Sequence, residues 1–409
     1  MKDMSIDNLA SLVTKRNVSL FQYDFDSHRK SLANSIKDSR ILVIGGAGSI
    51  GSATVRTLSE FSPSALYVVD QSENDLAELV RYLRNESDNL SSTDFRTLPL
   101  DFGSTLMQRF LSETPAFDFI LNFAALKHVR SEKDVYSLLQ MFNVNLVKTA
   151  RFLGWLSKKQ TNYRYFCVST DKAANPVNLM GASKYLMEHL IFSREVLANP
   201  SRTAVSARFA NVAFSRGSLL ESFIERLNKR QPLAVPKNTL RYFISPRESG
   251  HICVLAAFCA PNRHLLIPVL DSDSDLIELE TIATIVLDSY GFKPEYYEDE
   301  KLARKSVETD IKKGRYPLLL TPLDTSGEKP YEEFVAEGEK TVDVGMATLK
   351  GIIYEPKPIE QVMSFIKYIE ELILQPEITV TKQDIVESVK RIIPNFDHME
   401  TGKNLDERM

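Results

Sequence analysis

Cysteine is scarce in this chain, with three residues in 409. Cys167, Cys253 and Cys259 are too few and too widely spaced for a disulfide framework or a CxxC metal site. That fits a reducing compartment such as the cytoplasm and a buried, structural role for the thiols. The histidines give no metal-ligand spacing either, so no metal is expected. Basic excess is also missing: 50 Lys and Arg stand against 54 Asp and Glu, a net charge of -4. A nucleic-acid partner therefore has no electrostatic support. Long apolar runs are lacking as well. The most apolar stretch, around residues 252–260, falls far short of the roughly 20 residues a membrane-spanning helix needs. The opening MKDMSIDNLASLVTKRN has no apolar core or small-residue cleavage site and does not read as a secretory signal. No internal repeat is found. What remains is ordinary globular composition, 43% hydrophobic and 25% charged, which points toward small-molecule chemistry.

Residues 1–38 read as an extension ahead of the first strong strand. From Arg40 short β-branched runs alternate with helical patterns: ILVIGG, a helix to Leu58, ALYVVD, a helix through Leu83, FRTLPLD, FDFILNFAA, a helix over 138–158, YRYFCVST, a helix over 182–197 and TAVSARFANV. Such alternation predicts an α/β fold with a doubly wound parallel sheet. On this reading residues 39–212 form the dinucleotide-binding domain. Residues 213–355, partly interleaved with it, form a smaller α/β cap over the sheet's carboxyl edge, where such sheets bind ligands. Residues 356–409 supply two amphipathic helices, PIEQVMSFIKYIEELIL and TKQDIVESVKRII, and a polar tail expected to fray.

The first strand runs into GGAGSIG, readable as a glycine turn through Gly46, Gly48 and Gly51 or through Gly45, Gly48 and Gly51. Either register brings backbone amides and a helix start, including Ser49 and Ile50, close to a pyrophosphate. Asp70 ends the second strand about 20 residues on, where an acid can bind the ribose hydroxyls of an adenosine. Around it lie Gln71, Ser72, Glu73 and Asp75 but no Arg or Lys, so a 2′-phosphate would meet uncompensated negative charge. This favours NAD over NADP. Asp101, after the third strand, reads equally as an adenine contact or as a turn and helix cap.

The fifth strand runs into STDKAANPVNLMGASK. Together with AALKHV at 124–129, RFANVAFSRGSLLESF at 208–223 and GEKPYEEF at 327–334, this resembles the CapD-like polysaccharide-biosynthesis group of nucleotide-sugar 4,6-dehydratases, in the extended short-chain dehydrogenase superfamily. The resemblance covers roughly residues 40–340. It implies that Thr170 orients the sugar, Asp171 is the general acid, Lys172 the general base, and Lys184 holds the nicotinamide ribose. It also places Ala124 with the cofactor, Lys127 and His128 beside nicotinamide and sugar, and Asn211, Ser215, Arg216 and Arg241 around the substrate's diphosphate. UDP-N-acetylglucosamine is the first-choice substrate, and a homo-oligomer paired through helices flanking the sheet is expected by analogy.

The chemistry asks for such a pair independently. Elimination of water across C5 and C6 of a 4-keto sugar needs a base for the C5 proton and an acid for the departing hydroxyl. Adjacent side chains can serve one substrate only if the strand ends near Thr170. A lysine base must also be depressed by about 3 pH units from its usual pKa, for which burial, Lys184 and an oxidised nicotinamide are the candidate causes. Met180 stands where the superfamily has tyrosine and cannot accept a proton, so it reads as packing. A C4 or C5 epimerase and a catalytically silent NAD-binding scaffold are the alternative readings.

Overall fold

The computed structural model of the protein describes residues 5–86, 93–127, 132–323, 331–355, 358–393 and 395–398. Two short helices, α1 (Ile6–Thr14) and α2 (Gln22–Ile36), precede the alternation β1 (Arg40–Ile44), α3 (Ser49–Leu58), β2 (Ala65–Asp70), α4 (Glu73–Glu86), β3 (Asp94–Pro99), α5 (Thr105–Glu113) and β4 (Phe119–Asn122). There follow α6 (Val135–Phe142), a π-turn over Asn143–Val147, α7 (Lys148–Lys159), β5 (Tyr163–Thr170), a 3-10 turn over Asp171–Ala173, α8 (Leu179–Ile191) and β6 (Arg202–Phe209). Then come β7 (Asn211–Val212), α9 (Leu219–Asn228), β8 (Leu233–Pro236), β9 (Leu240–Ile244), α10 (Pro246–Cys259), β10 (His264–Pro268), β11 (Leu276–Glu278), α11 (Leu279–Ser289), β12 (Lys293–Tyr297), α12 (Glu300–Ile311) and β13 (Arg315–Thr321). The chain closes with β14 (Thr341–Val342), β15 (Leu349–Ile353), α13 (Glu360–Leu374) and α14 (Lys382–Ile392).

The main sheet has the order β14-β15-β10-β6-β5-β4-β1-β2-β3. Its pairings from β3 to β10 are parallel, and β15 and β14 are antiparallel to their neighbours. This is the doubly wound sheet expected from the alternating pattern. Its central strands are near-continuous apolar runs because helices cover both faces: Ile41 to Val43 and Leu66 are fully buried. Three strands of the stretch read as cap, β10, β14 and β15, belong to this sheet. HLLIP, expected in the cap, is β10 and pairs with β6. Its run of unbroken apolar residues is what a strand covered on both faces requires. β14 and β15 extend the same sheet beyond β10, while two three-stranded sheets, β11-β9-β7 and β12-β13-β8, form around a third apolar cluster with α9 and α11.

Both terminal segments are integral to the packing. α2 lies against α10, and the buried Asp24 accepts bonds from the Ala347 and Thr348 amides at 2.8 and 2.7 Å. Arg16 forks onto Glu248 at 2.7 and 3.0 Å and reaches Asp275 at 2.9 Å. At the other end, α13 covers α6, the π-turn and α8. Part of the helical flank on which a second subunit was expected to pair is therefore occupied by the same chain. Just ahead of the polar tail, Phe396 is buried in the main core, as an apolar ring gains from burial; of the stretch expected to fray, His398 pairs with Glu132, and residues 399–409 lie outside the described residues. No helix among the described residues is long and apolar enough to cross a membrane.

Burial pushes the thiol of Cys167 up to about 11, that of Cys253 to about 12 and that of Cys259 to about 11. Such thiols stay protonated and unreactive near neutrality. The Arg16 fork yields a stability prediction. Glu248 has no exposed side-chain surface, so Arg16→Met leaves a buried carboxylate short of its cation and is expected to cost about 3 kcal/mol. Urea denaturation checks this, and an unchanged midpoint would show that residues 5–36 contribute little to the fold.

Candidate active site

The carboxyl ends of β1, β4, β5 and β6 converge on one cleft. At β1 the turn begins with Gly45 in the left-handed region at φ +69°. A Cβ on Gly51 would stand 2.2 Å from the Gly45 carbonyl, so helix α3 can start this close to the strand only with glycine there. The N-cap of α3 is Gly48, which offers no side-chain cap, leaving the first-turn amides from Ser49 and Ile50 available to an anion. Asp70 spans the turn, accepting from the Ala47 amide at 3.0 Å and the Ser72 amide at 3.1 Å. Ala124 lies beside Gly45, its amide bonded to the buried Asn122 at 3.0 Å. Open amides, a glycine cradle and an acid at the end of β2 are the donor and acceptor set a dinucleotide needs, so these residues fit such a cofactor.

Asp101 accepts from the Gly103 amide at 2.9 Å and from Lys148. Burial works against its ionised form, but these bonds outweigh it and hold its pKa below the usual carboxylate value. Arg216, expected around the substrate's diphosphate, has these partners. Its amide donates to Ser49 Oγ at 2.9 Å and its guanidinium pairs with Asp75. A base absent from the sequence around Asp70 is thus delivered to Asp75 by a loop more than a hundred residues away.

The strand β5 does end at Thr170, and the 3-10 turn that follows brings neighbouring side chains together. Thr170 donates to Asp171 Oδ1 at 2.7 Å, the Lys172 amide to the same oxygen at 2.9 Å, and Lys172 Nζ at 3.1 Å. Asp171 is 4% exposed. The tight turn depends on MGASK: Asn178 caps α8 through the Gly181 amide at 2.7 Å, and a Cβ on Gly181 would stand 2.4 Å from the Lys172 carbonyl. Three residues after Gly181, Lys184 is buried and donates to the Val168 carbonyl of β5 at 2.8 Å. Burial lowers its pKa against the opposing pull of Cys167 and Glu188. Met180 is buried at 3% exposure.

Lys172 differs from the expected depressed base. Burial is the largest influence and pulls its pKa down, but Asp171 and Glu332 outweigh it, and the net direction is up. Arg241, on β9, is the opposing cation, while Lys184 turns its ammonium to the Val168 carbonyl. Glu332 stands 3.6 Å from Lys172 Nζ and is itself buried. It was missed as a site residue even though GEKPYEEF was singled out, because two adjacent acids in a motif do not show which one turns inward.

On the substrate side, Lys127 Nζ donates to Ser215 Oγ at 3.3 Å. Crowding by the cleft lowers the Lys127 pKa more than Glu221 raises it. Asn211 sits on β7 and donates to the Tyr242 carbonyl at 3.4 Å, next to the strand that carries Arg241. His128 lies outside the described residues. Two further buried polar groups were unforeseen. Asn145, in the π-turn, bonds the Leu126 backbone through both its amide ends and Ser183 Oγ at 2.9 Å. Glu132 accepts from the Met180 amide at 3.1 Å and pairs with His398 at 3.2 Å. The π-turn interrupts a stretch that reads as one helix, so its signal in the sequence is only a lone Asn among apolar neighbours.

Comparison with known proteins follows the same boundaries. The sequence pattern of the family described as polysaccharide biosynthesis protein matches residues 41–351. The chain belongs to this family. A Methanocaldococcus jannaschii protein named as an uncharacterized membrane protein is 30% identical over 312 residues, covering 76% of this chain and 84% of that one. The probable polysaccharide biosynthesis protein EpsC of Bacillus subtilis is 27% identical over 289 residues, 67% of this chain but 46% of EpsC. The chain thus spans less than half of that relative. The solved structure of Pen from Bacillus thuringiensis shares the fold, with a TM-score of 0.63 at 23% identity over 80% of this chain and 90% of Pen.

The glycines give a paired prediction. Gly181→Ala, forced against the Lys172 carbonyl, should destabilise by about 1–3 kcal/mol. Gly154→Ala, where an added Cβ in α7 meets nothing within 4 Å, should stabilise by about 0.5–1 kcal/mol. Urea midpoints of the two variants compare them directly, and equal midpoints would contradict the close packing of α8 on the catalytic turn.

Proposed function

We propose that the protein modifies a nucleotide-activated sugar for polysaccharide synthesis, and that its reaction is the NAD-dependent 4,6-dehydration of an N-acetyl amino sugar, with UDP-N-acetylglucosamine first. The observation that carries this reading is the buried carboxylate of Asp171 paired at 3.1 Å with the partly covered ammonium of Lys172 on one turn, with the Arg241 cation facing Lys172 from β9. When bound, the dinucleotide supplies the hydride acceptor and donor that sugar oxidation and reduction require.

The chain's own residues supply the rest. Gly45, Gly48, Gly51 and Asp70 bind the dinucleotide's adenosine half, and Lys184 its other ribose. Arg241, Ser215 and Asn211 line the place of the diphosphate, for which a guanidinium gives bidentate contact. Thr170, already a donor to Asp171, orients the sugar's C4 hydroxyl. Asp171 and Lys172 in the ion-paired form are one proton transfer from what elimination needs. Moving the proton from Nζ to Oδ1 leaves an amine to take the C5 proton and a carboxylic acid to protonate the C6 hydroxyl as it leaves. A substrate that covers the cleft and expels water favours this neutral pair over the charged one. Met180 takes no proton step on this account.

An enzyme that only inverts C4 has no use for such an acid and base. Incubation with NAD and candidate UDP- and GDP-amino sugars should give a product lighter by one water, with no net consumption of cofactor. Lys172→Met should lower the rate by a factor on the order of 10² to 10⁴. A product of unchanged mass would favour an epimerase, and retained cofactor with no turnover of any sugar would favour a scaffold.

A further inference from the structure

The proposed reaction leaves unexplained why a second carboxylate is buried at Lys172. Glu332 lies on the segment after β13, and that segment is held at several points. Arg208, fully buried on β6, donates to the Phe334 carbonyl at 3.0 Å and forks onto Glu339 at 2.7 and 2.9 Å. Its other contacts, at 2.9 and 2.6 Å, go to Glu188 of α8, which also accepts from Ser169 of β5. Asn175, in the loop just after the catalytic turn, donates to Glu333 at 3.1 Å and accepts from the Glu337 amide at 3.4 Å. One buried arginine thus ties α8, β6 and the 332–339 segment together, and the segment delivers Glu332 to within 3.6 Å of Lys172 Nζ.

We propose that Glu332 is a positioning residue of the active centre, which shares the Lys172 ammonium with Asp171 and thereby fixes both the aim of Nζ and the pH at which Lys172 acts as a base. This rests on the dehydratase reading of Asp171 and Lys172. In the base step the C5–H bond breaks and its electron pair moves into the conjugated keto sugar. The proton forms a new N–H bond on Nζ, and the resulting ammonium lies between two carboxylates. The charged groups facing Lys172 are Asp171 from its own turn, Glu332 from this segment and Arg241 from β9. The two acids favour the ammonium and the arginine opposes it, and the arrangement raises the lysine's pKa despite its burial. Taking away the Glu332 charge therefore lowers the pKa of Lys172. Lys172 serves as base only in its amine form; losing a neighbouring negative charge favours that form and lowers the pH at which the Asp171 and Lys172 pair takes up a second proton, so the acid limb of the rate profile must move to lower pH in the variant.

Two readouts separate this inference from the function on which it rests. The first is the pH profile of kcat/KM for UDP-N-acetylglucosamine dehydration in wild type, Glu332→Gln and Glu332→Asp. The second, independent of turnover, is the titration of the Lys172 side chain by NMR of lysine-labelled holoenzyme, its signal assigned by loss in Lys172→Met. Glu332→Gln should shift both the acid limb and the lysine titration down by about 1 pH unit, with a lower plateau because the weaker base accepts the proton less readily. Glu332→Asp should keep most of the wild-type position. A lysine titration unmoved in Glu332→Gln overturns the proposal. A downward shift in Glu332→Gln, combined with a wild type that dehydrates no nucleotide sugar, would uphold the role of Glu332 and reject the dehydratase reading.

Discussion

The site is organised by the close approach of α8 to the turn that ends β5. With hydrogen alone at Gly181, the helix start rests on the Lys172 carbonyl, and this contact turns what would be two opposite-facing strand residues into an adjacent acid and amine. The same helix carries Lys184 under β5 and Glu188 into the Arg208 network. Lys184, the turn over Asp171–Ala173 and the segment bearing Glu332 are thus all referenced to one helix.

Burying so much charge is tolerable only with full pairing. Arg208 has no exposed surface and two edges of its guanidinium are engaged by carboxylates, those of Glu188 and Glu339, so the 332–339 segment cannot drift without leaving ions unpaired. The ionised Asp171 and Lys172 pair is likewise sheltered, and closeness rather than solvent sets its behaviour.

The alternating pattern of β-branched runs made the parallel sheet legible from β1 to β6, as did the glycine turn, Asp70 and the strand end at Thr170. Local sequence carries these, because strand period, glycine conformation and helix start are short-range properties. What stayed hidden depends on distant residues meeting. HLLIP looked like cap until its pairing with β6 was visible, Arg216 came to Ser49 and Asp75 through the fold, and His398 reached Glu132 from a stretch read as fraying. Glu332 and the sign of the Lys172 shift belong to the same class. A lysine's burial can be guessed from a strand end, but whether carboxylates or cations surround it is decided by the packing of segments far apart in the chain.

The account's central claim is that hydrogen leaves C4 and returns at C6 while Asp171 and Lys172 remove water between them. Its most direct test is to supply UDP-N-acetylglucosamine deuterated at C4 and locate the label in the product by NMR and mass spectrometry. The account predicts a dehydrated 4-keto product with the deuterium on its C6 methyl group. Deuterium still on C4, in a product that has lost no water, would contradict it.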